Sequence, residues 1–200
     1  MKKKLLGWVL TGCVASAAWG QADAPRRARN LPIIATVQFH SLALPFRDFK
    51  SNFANVGFGL GTEVGLNRRG NWVQQVHVLW YGNRTVGNGL LGYTQNVWRP
   101  TFGGRVYAEV KAGAGFLVAF RPVASYKPVN GDWVAVGHRG KGMFTVPVGV
   151  SVGYHHPTGR TTLSPFVSYQ VLAVTGYNPS VPLVPQTLLQ VGSRIHLGRQ

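Results

Sequence analysis

From Ile33 onward the chain alternates apolar and small or polar positions. In residues 56–67, VGFGLGTEVGLN, one parity holds Val56, Phe58, Leu60, Thr62, Val64 and Leu66, and the other holds Gly57, Gly59, Gly61, Glu63, Gly65 and Asn67. Successive side chains of a strand point to opposite faces, so this segment reads as a strand with one apolar face. The pattern recurs in 106–118, where Val106, Ala108, Val110, Ala112, Ala114, Phe116 and Val118 oppose Tyr107, Glu109, Lys111, Gly113 and Gly115. It recurs again in 144–154, and at the C-terminal end Leu189, Val191, Ile195 and Leu197 oppose Gln190, Gly192, Arg194 and His196. Weaker versions occupy 33–43, 72–81, 90–98 and 163–177, which makes eight strands.

The segments between them alternate in length. PFRDFKSNFAN (45–55), GNRTVGNG (82–89), the long 121–142 and NPSVPLVPQ (178–186) are the longer connections. NRRGN (67–71), RPTFG (99–103) and HHPTGRT (155–161) are the short ones. Long-short alternation over an even number of strands is the pattern of an antiparallel up-and-down barrel with both termini at the short-turn end. The polar face decides what surrounds it. A solvent-facing strand would carry many Lys, Glu, Thr and Ser, whereas these faces carry glycine with isolated charges. Glycine on an exposed strand packs nothing and favours the unfolded chain, but it fits a narrow lumen. The fold expected is therefore an all-β transmembrane barrel of eight strands, apolar face to lipid and polar face inward. Aromatic positions agree: Trp72 and Trp80 share a face, as do Phe144 and Tyr154. At about 3.3 Å per residue and a tilt near 40°, the ten residues from Phe144 to Tyr154 climb roughly 25 Å, the height of an outer-membrane apolar band.

Residues 1–20 change the picture of where the chain works. Lys2, Lys3 and Lys4 precede an apolar stretch from Leu5 to Trp19, and Ala18-Trp19-Gly20 offers small residues at a cleavage site before Gln21. This reads as a secretory leader. Residues 21–32 form a flexible lead-in, 33–197 the barrel and 198–200 a tail. Leu10-Thr11-Gly12-Cys13 is a second reading of the leader, as a lipid-attachment sequence, but the apolar character runs past Cys13 to Trp19. With the leader removed no cysteine remains, so stability must come from packing or from the membrane. Without its three lysines, 18 basic residues face 5 acidic ones. For an exported chain this excess points away from nucleic acid and toward the anionic head groups of phospholipid and lipopolysaccharide.

With the GFGLGTEVGL and YAEVKAGAGFLVAF strands and the closing TLLQVGSRIHL in view, the chain resembles the small eight-stranded outer-membrane proteins of bacteria. The resemblance is architectural, spans about 33–197, and implies a bacterial outer-membrane location. It departs from that group in ending Gly198-Arg199-Gln200 rather than on an aromatic residue, and in placing Pro147 and Pro165 inside strands, where each removes a ladder hydrogen bond.

The chemistry expected is sparse. An eight-stranded barrel is just wide enough to be filled by side chains, and Glu63, Arg105, Glu109, Lys111 and Arg194 have lumen parity, so a mutually compensating charge network is expected there. Some barrels of this size are lipid A-modifying hydrolases, and His40, Ser41, Asp48, Asp132 and His138 cluster toward the outer end. Adjacent strand residues face opposite ways, however, so His40 and Ser41 cannot serve each other. The deacylase arrangement of His and Ser two apart, followed by Asn and Gly, is absent. No catalytic residue, metal or cofactor is assigned; His155-His156 is a solvated turn, and the GxG runs are strand glycines. The loop 121–142 carries Arg121, Lys127, Arg139 and Lys141 with Tyr126 and Trp133, against Asp132 alone. The expected role is structural or surface-binding, through contact of this loop with lipopolysaccharide phosphates or a protein partner, by a monomer. A lipid-acting hydrolase and a soluble periplasmic lipocalin-like carrier are the alternatives.

Overall fold

In a computed structural model of the chain, described residues are 31–41, 53, 55–83, 87–120, 125–129, 131–137, 140–158, 161–178 and 181–197. The expected leader, nearly all of the lead-in, and the tail 198–200 lie outside them. Eight long strands follow in chain order: β1 Ile33–Ser41, β2 Val56–Gly65, β3 Trp72–Tyr81, β4 Asn88–Trp98, β5 Val106–Phe120, β6 Lys141–Tyr154, β7 Thr161–Asn178 and β8 Val181–Leu197. Each pairs antiparallel with its chain neighbours. β8 then pairs β1, from Ile33↔Ile195 to Ser41↔Thr187, so the sheet closes on itself. The fold is a closed eight-stranded up-and-down barrel, with no helix among the described residues.

The wall is inverted relative to a water-soluble protein. Phe58, Leu60 and Val152 point outward at 61, 65 and 60% exposure, while Gln38, Gln75, Gln95 and Arg194 point inward at 0–1%. Glycine makes that inward packing feasible. A Cβ on Gly153 would collide with the Tyr107 hydroxyl, one on Gly61 with the His77 ring, and one on Gly89 with the Tyr81 ring. These three inward rings thus each lie over a neighbouring strand's glycine.

The two strand prolines are absorbed locally. Pro147 lies in β6 opposite Leu172 of β7, and the β5–β6 ladder skips from Ala112↔Val148 to Gly115↔Thr145 around it. Pro165 pairs with Ser193 of β8, one residue beyond the β6–β7 ladder, which begins at Phe166↔Gly153. Both therefore sit where a ladder bond is already missing.

Two connections differ from the sequence reading. The expected loop 178–186 is mostly strand: β7 reaches Asn178, β8 restarts at Val181, and pairing continues through Ala173↔Pro185 and Thr175↔Leu183 to a bulge before Asn178. Gly176, at φ +76°, absorbs that bulge, and Pro182 and Pro185, inside the segment read as a loop, sit within the extended β8. The expected loop 121–142 contains a hairpin of its own, Ser125–Val129 with Asp132–Gly137, turned at Gly131 with φ +92°.

Candidate functional site

The lumen is filled in three layers. At the short-turn end five charged side chains converge. Glu63 of β2 accepts from Arg99 Nη1 at 3.0 Å and Nη2 at 2.5 Å. Glu109 of β5 accepts from Arg99 Nε at 2.5 Å, Arg194 Nη2 at 2.8 Å and Ser151 Oγ at 2.5 Å, and pairs with Lys111 Nζ at 2.9 Å. Arg194 Nε lies 2.9 Å from Glu63 Oε2 without hydrogen-bond alignment, so that contact is purely electrostatic. Three cations against two carboxylates leave one positive charge in excess, and two aromatic rings face it. Tyr107 is flanked by Arg99 at 5.6 Å and Arg194 at 5.4 Å; Phe166 by Arg194 at 5.5 Å and Lys111 at 5.2 Å. The negative faces of the rings supply part of the missing countercharge.

Above this lies an amide layer. Gln75 donates to Glu63 at 2.8 Å, Gln95 donates to Gln75 at 2.8 Å, and Gln170 donates to Gln190 at 3.1 Å. The long-loop half is apolar: Leu79, Leu91, Leu117, Met143, Leu172 and Leu188 form one buried cluster. It is topped by His40, whose Nδ1 accepts from Asn83 at 3.2 Å and whose Nε2 therefore carries the proton toward Gln186 Oε1 at 3.0 Å. Tyr81 stacks on the ring at 3.9 Å and donates to the same Gln186 oxygen at 3.3 Å. Side chains lining a water-filled channel would be accessible to water. Ile34, Tyr107, Leu91, Leu117, Leu172 and Arg194 all have 0% exposure, so no water-sized path passes them.

Of the five residues with expected lumen parity, Glu63, Glu109, Lys111 and Arg194 lie in this network. Arg105 does not, and its assignment is corrected: Gly103 and Gly104, at φ +56° and +77°, turn the chain before β5, and Arg105 is exposed, donating to the Tyr154 hydroxyl at 3.1 Å. The fifth member is Arg99, in the connection read as a loop. Its parity follows Gln95 and Val97, and extending the β4 alternation by one step would have placed it inward.

The expected loop residues are more dispersed. Trp133 is 72% exposed beside the tip of the 125–137 hairpin, and Lys141 is exposed at the start of β6. Tyr126 and Lys127 lie on the first hairpin strand. Arg121 and Arg139 fall outside the described residues, as do Asp48 and His138. The pairing of His40 with Asn83 and Gln186 engages both ring nitrogens with neutral amides, and Ser41 has the opposite parity on β1. Among the described residues no cluster of three or more His, Cys, Asp or Glu could hold a metal. Beyond the end of β6, His155 Nδ1 lies 2.9 Å from Ser164 Oγ and its ring meets Tyr107 at 4.5 Å. Burial holds its pKa below the ordinary 6.5, and the charges of Arg194 and Arg99 lower it further.

Three solved structures are similar to this barrel. The N-terminal β-barrel domain of Pseudomonas aeruginosa OprF matches at TM-score 0.50 and 13% identity, over 82% of this chain and 96% of that one. Neisserial surface protein A matches at 0.48 and 12%, over 83% and 95%. The Ail protein of Yersinia pestis matches at 0.43 and 13%, over 84% and 97%. No protein-family model and no curated protein matches the chain. The chain has the fold of the small eight-stranded outer-membrane barrels. What it does must be argued from its own residues.

Proposed function

We propose that this chain is an outer-membrane barrel acting as a rigid scaffold, with its activity at the surface of the long-loop end. The observation that carries the reading is the filled lumen: among the described residues, an apolar wall encloses inward side chains that leave no water-sized path past them, so the reading gives the barrel no transport task. Leaving outward residues such as Phe58, Leu60, Val150 and Val152 against water would expose an apolar surface that soluble monomers do not carry. Lipid is the solvent that suits it, and the leader supplies the export route. A soluble carrier would need these faces reversed.

The contact surface is the hairpin of Ser125–Val129 and Asp132–Gly137, with the sequence that flanks it. Exposed Trp133 and Val134 stand beside Lys127, and Lys141 marks the return to the barrel. Arg121 and Arg139 belong to the same segment of sequence. Arginine and lysine in one segment with an exposed aromatic suit phosphate and sugar, the chemistry of lipopolysaccharide. Two measurements test the reading. Unboiled protein from the outer-membrane fraction is expected to migrate faster than boiled protein; a soluble periplasmic protein without such a shift would overturn the membrane assignment. Changing Arg121, Lys127, Arg139 and Lys141 to Gln is expected to lower lipopolysaccharide binding at least tenfold with the mobility shift retained. Unchanged binding would remove lipopolysaccharide as the partner.

A further inference from the structure

The short-turn end of the barrel is rimmed by arginines that meet no acid among the described residues. The β2–β3 turn exposes Arg68 and Arg69 ahead of Gly70, whose φ of +70° reverses the chain. The β4–β5 turn exposes Arg105, and His156 is exposed beyond β6. These turns are laced side by side. Arg99 N donates to Asn71 O at 2.7 Å, and His155 N donates to Arg105 O at 2.8 Å, so the residues form a continuous rim. The carboxylates nearest this end, Glu63 and Glu109, are buried and committed to Arg99, Lys111 and Arg194. Among the described residues, no carboxylate pairs with Arg68, Arg69 or Arg105.

We propose that this rim binds anionic phospholipid head groups in the leaflet at the short-turn end. Height selects lipid over a soluble polyanion. The arginines lie just beyond exposed Trp72, Trp98, Phe102 and Tyr154, and aromatic side chains of this kind mark the head-group level of a bilayer. Arg105 is tied to one of them through the Tyr154 hydroxyl. Guanidinium groups held there stand at the phosphates, where planar paired donors match the oxygens. The turns are also short, with β3 resuming at Trp72 after β2 ends at Gly65. They stay near the membrane surface, where a soluble partner would have to reach into the head groups to meet them.

The inference rests on the membrane reading above, and the test separates the two. Trp80→Phe and Trp133→Phe leave Trp72 and Trp98 as reporters at the rim, since Trp8 and Trp19 fall in the expected leader; mass spectrometry of protein isolated from cell envelopes checks its removal. The protein is placed in phosphatidylcholine bilayers containing a small fraction of bromine-labelled phosphatidylglycerol or bromine-labelled phosphatidylcholine, and quenching is compared. A surface arginine near an anionic head group is worth roughly a fivefold change in association. The labelled anionic lipid is therefore expected to be enriched at least about fivefold at the reporters. In Arg68→Gln/Arg69→Gln/Arg105→Gln, with the heat-dependent mobility shift retained, the two lipids should quench alike. Equal quenching in the parent, or a preference surviving the triple change, would overturn the proposal. A parent that enters neither bilayer, shown by no quenching from either lipid, would overturn the membrane reading and this inference with it.

Discussion

The two halves of the lumen fill the same narrow cylinder by opposite means. At the short-turn end, Arg99 and Arg194 bridge Glu63 and Glu109, Lys111 pairs with Glu109, and the three cations stack on Tyr107 and Phe166. At the long-loop end, Leu79, Leu91, Leu117, Met143, Leu172 and Leu188 fill the space with no charge. A charged plug is defined by its partners, because every buried charge left alone is costly, while an apolar plug is defined by its volume. The two halves should therefore respond differently to substitution: the first to the loss of one particular group, the second in proportion to the atoms removed.

The largest expected effect breaks the charged half. Glu109→Gln removes the acceptor shared by Arg99, Lys111 and Arg194, leaving Lys111 without its carboxylate and Glu63 alone to offset both arginines. The expected loss is about 3–5 kcal/mol, read from urea unfolding of the barrel in lipid vesicles; a loss under about 1 kcal/mol would mean that water reaches the network and screens it. In the apolar half, Leu117→Ala is expected to cost about 2–4 kcal/mol by opening a cavity, and Leu117→Met, which nearly conserves volume, under about 1.5 kcal/mol. If both Leu117 variants cost the same, volume is not what holds that half together.

The strand faces were legible in the sequence because period two survives any closure of the sheet. Trp72–Tyr81 has the boundaries read from the pattern, and Glu63, Glu109, Lys111 and Arg194 point inward as their parity requires. Parity is lost at turns. Arg105 has the right count but follows two left-handed glycines, and Arg99 has the right count but followed the end of the strand as it was read. The β7–β8 extension was hidden for another reason. Pro182 and Pro185 imply a loop when each strand is read alone, and only the pairing of Ala173 with Pro185 and Thr175 with Leu183 shows that β7 carries β8 with it. The His40 cluster was likewise out of reach, since Gln186 comes to His40 only when β8 closes on β1, and Asn83 only when β3 pairs with β2 beside β1.

A third change sharpens the comparison by testing fit rather than charge. Gly153 lies under the Tyr107 ring, and an added Cβ there would meet the hydroxyl that accepts from Arg194 Nη1 at 3.1 Å. Gly153→Ala is expected to cost about 1–3 kcal/mol by displacing Tyr107, and the penalty should fall when Tyr107→Leu, which removes both the hydroxyl and the ring carbon that the new Cβ would meet, is combined with it in a double-mutant cycle. Additive costs would show that the ring and the glycine are not coupled. Lys111→Met should matter less, by under about 1 kcal/mol, because it leaves two cations for two carboxylates and keeps an apolar stem against Phe166. A cost near that of Glu109→Gln would show that the third cation is required rather than merely tolerated.

The smallest expected effect is a pH dependence at the boundary between charged lumen and water. His155 is partly buried against Tyr107, and burial followed by the positive charges of Arg194 and Arg99 lowers its pKa below 6.5. The unfolded chain then binds a proton at this site before the folded barrel does. The neutral ring's contribution is complete above about pH 6.5 and is lost as pH falls from there through the lower folded value. Unfolding midpoints measured from pH 7.5 down to 5 should decline, and His155→Gln should flatten part of that decline while leaving the pH 7.5 value nearly unchanged. Because Arg194 and Arg99 contribute to the shift, Glu109→Gln, which strips them of a counter-ion, should steepen the decline. Glu109 itself raises the His155 pKa, so its neutralisation acts in the same direction. A slope indifferent to Glu109 would place His155 with the solvent rather than with the network, and would end the charged half of the lumen at Tyr107.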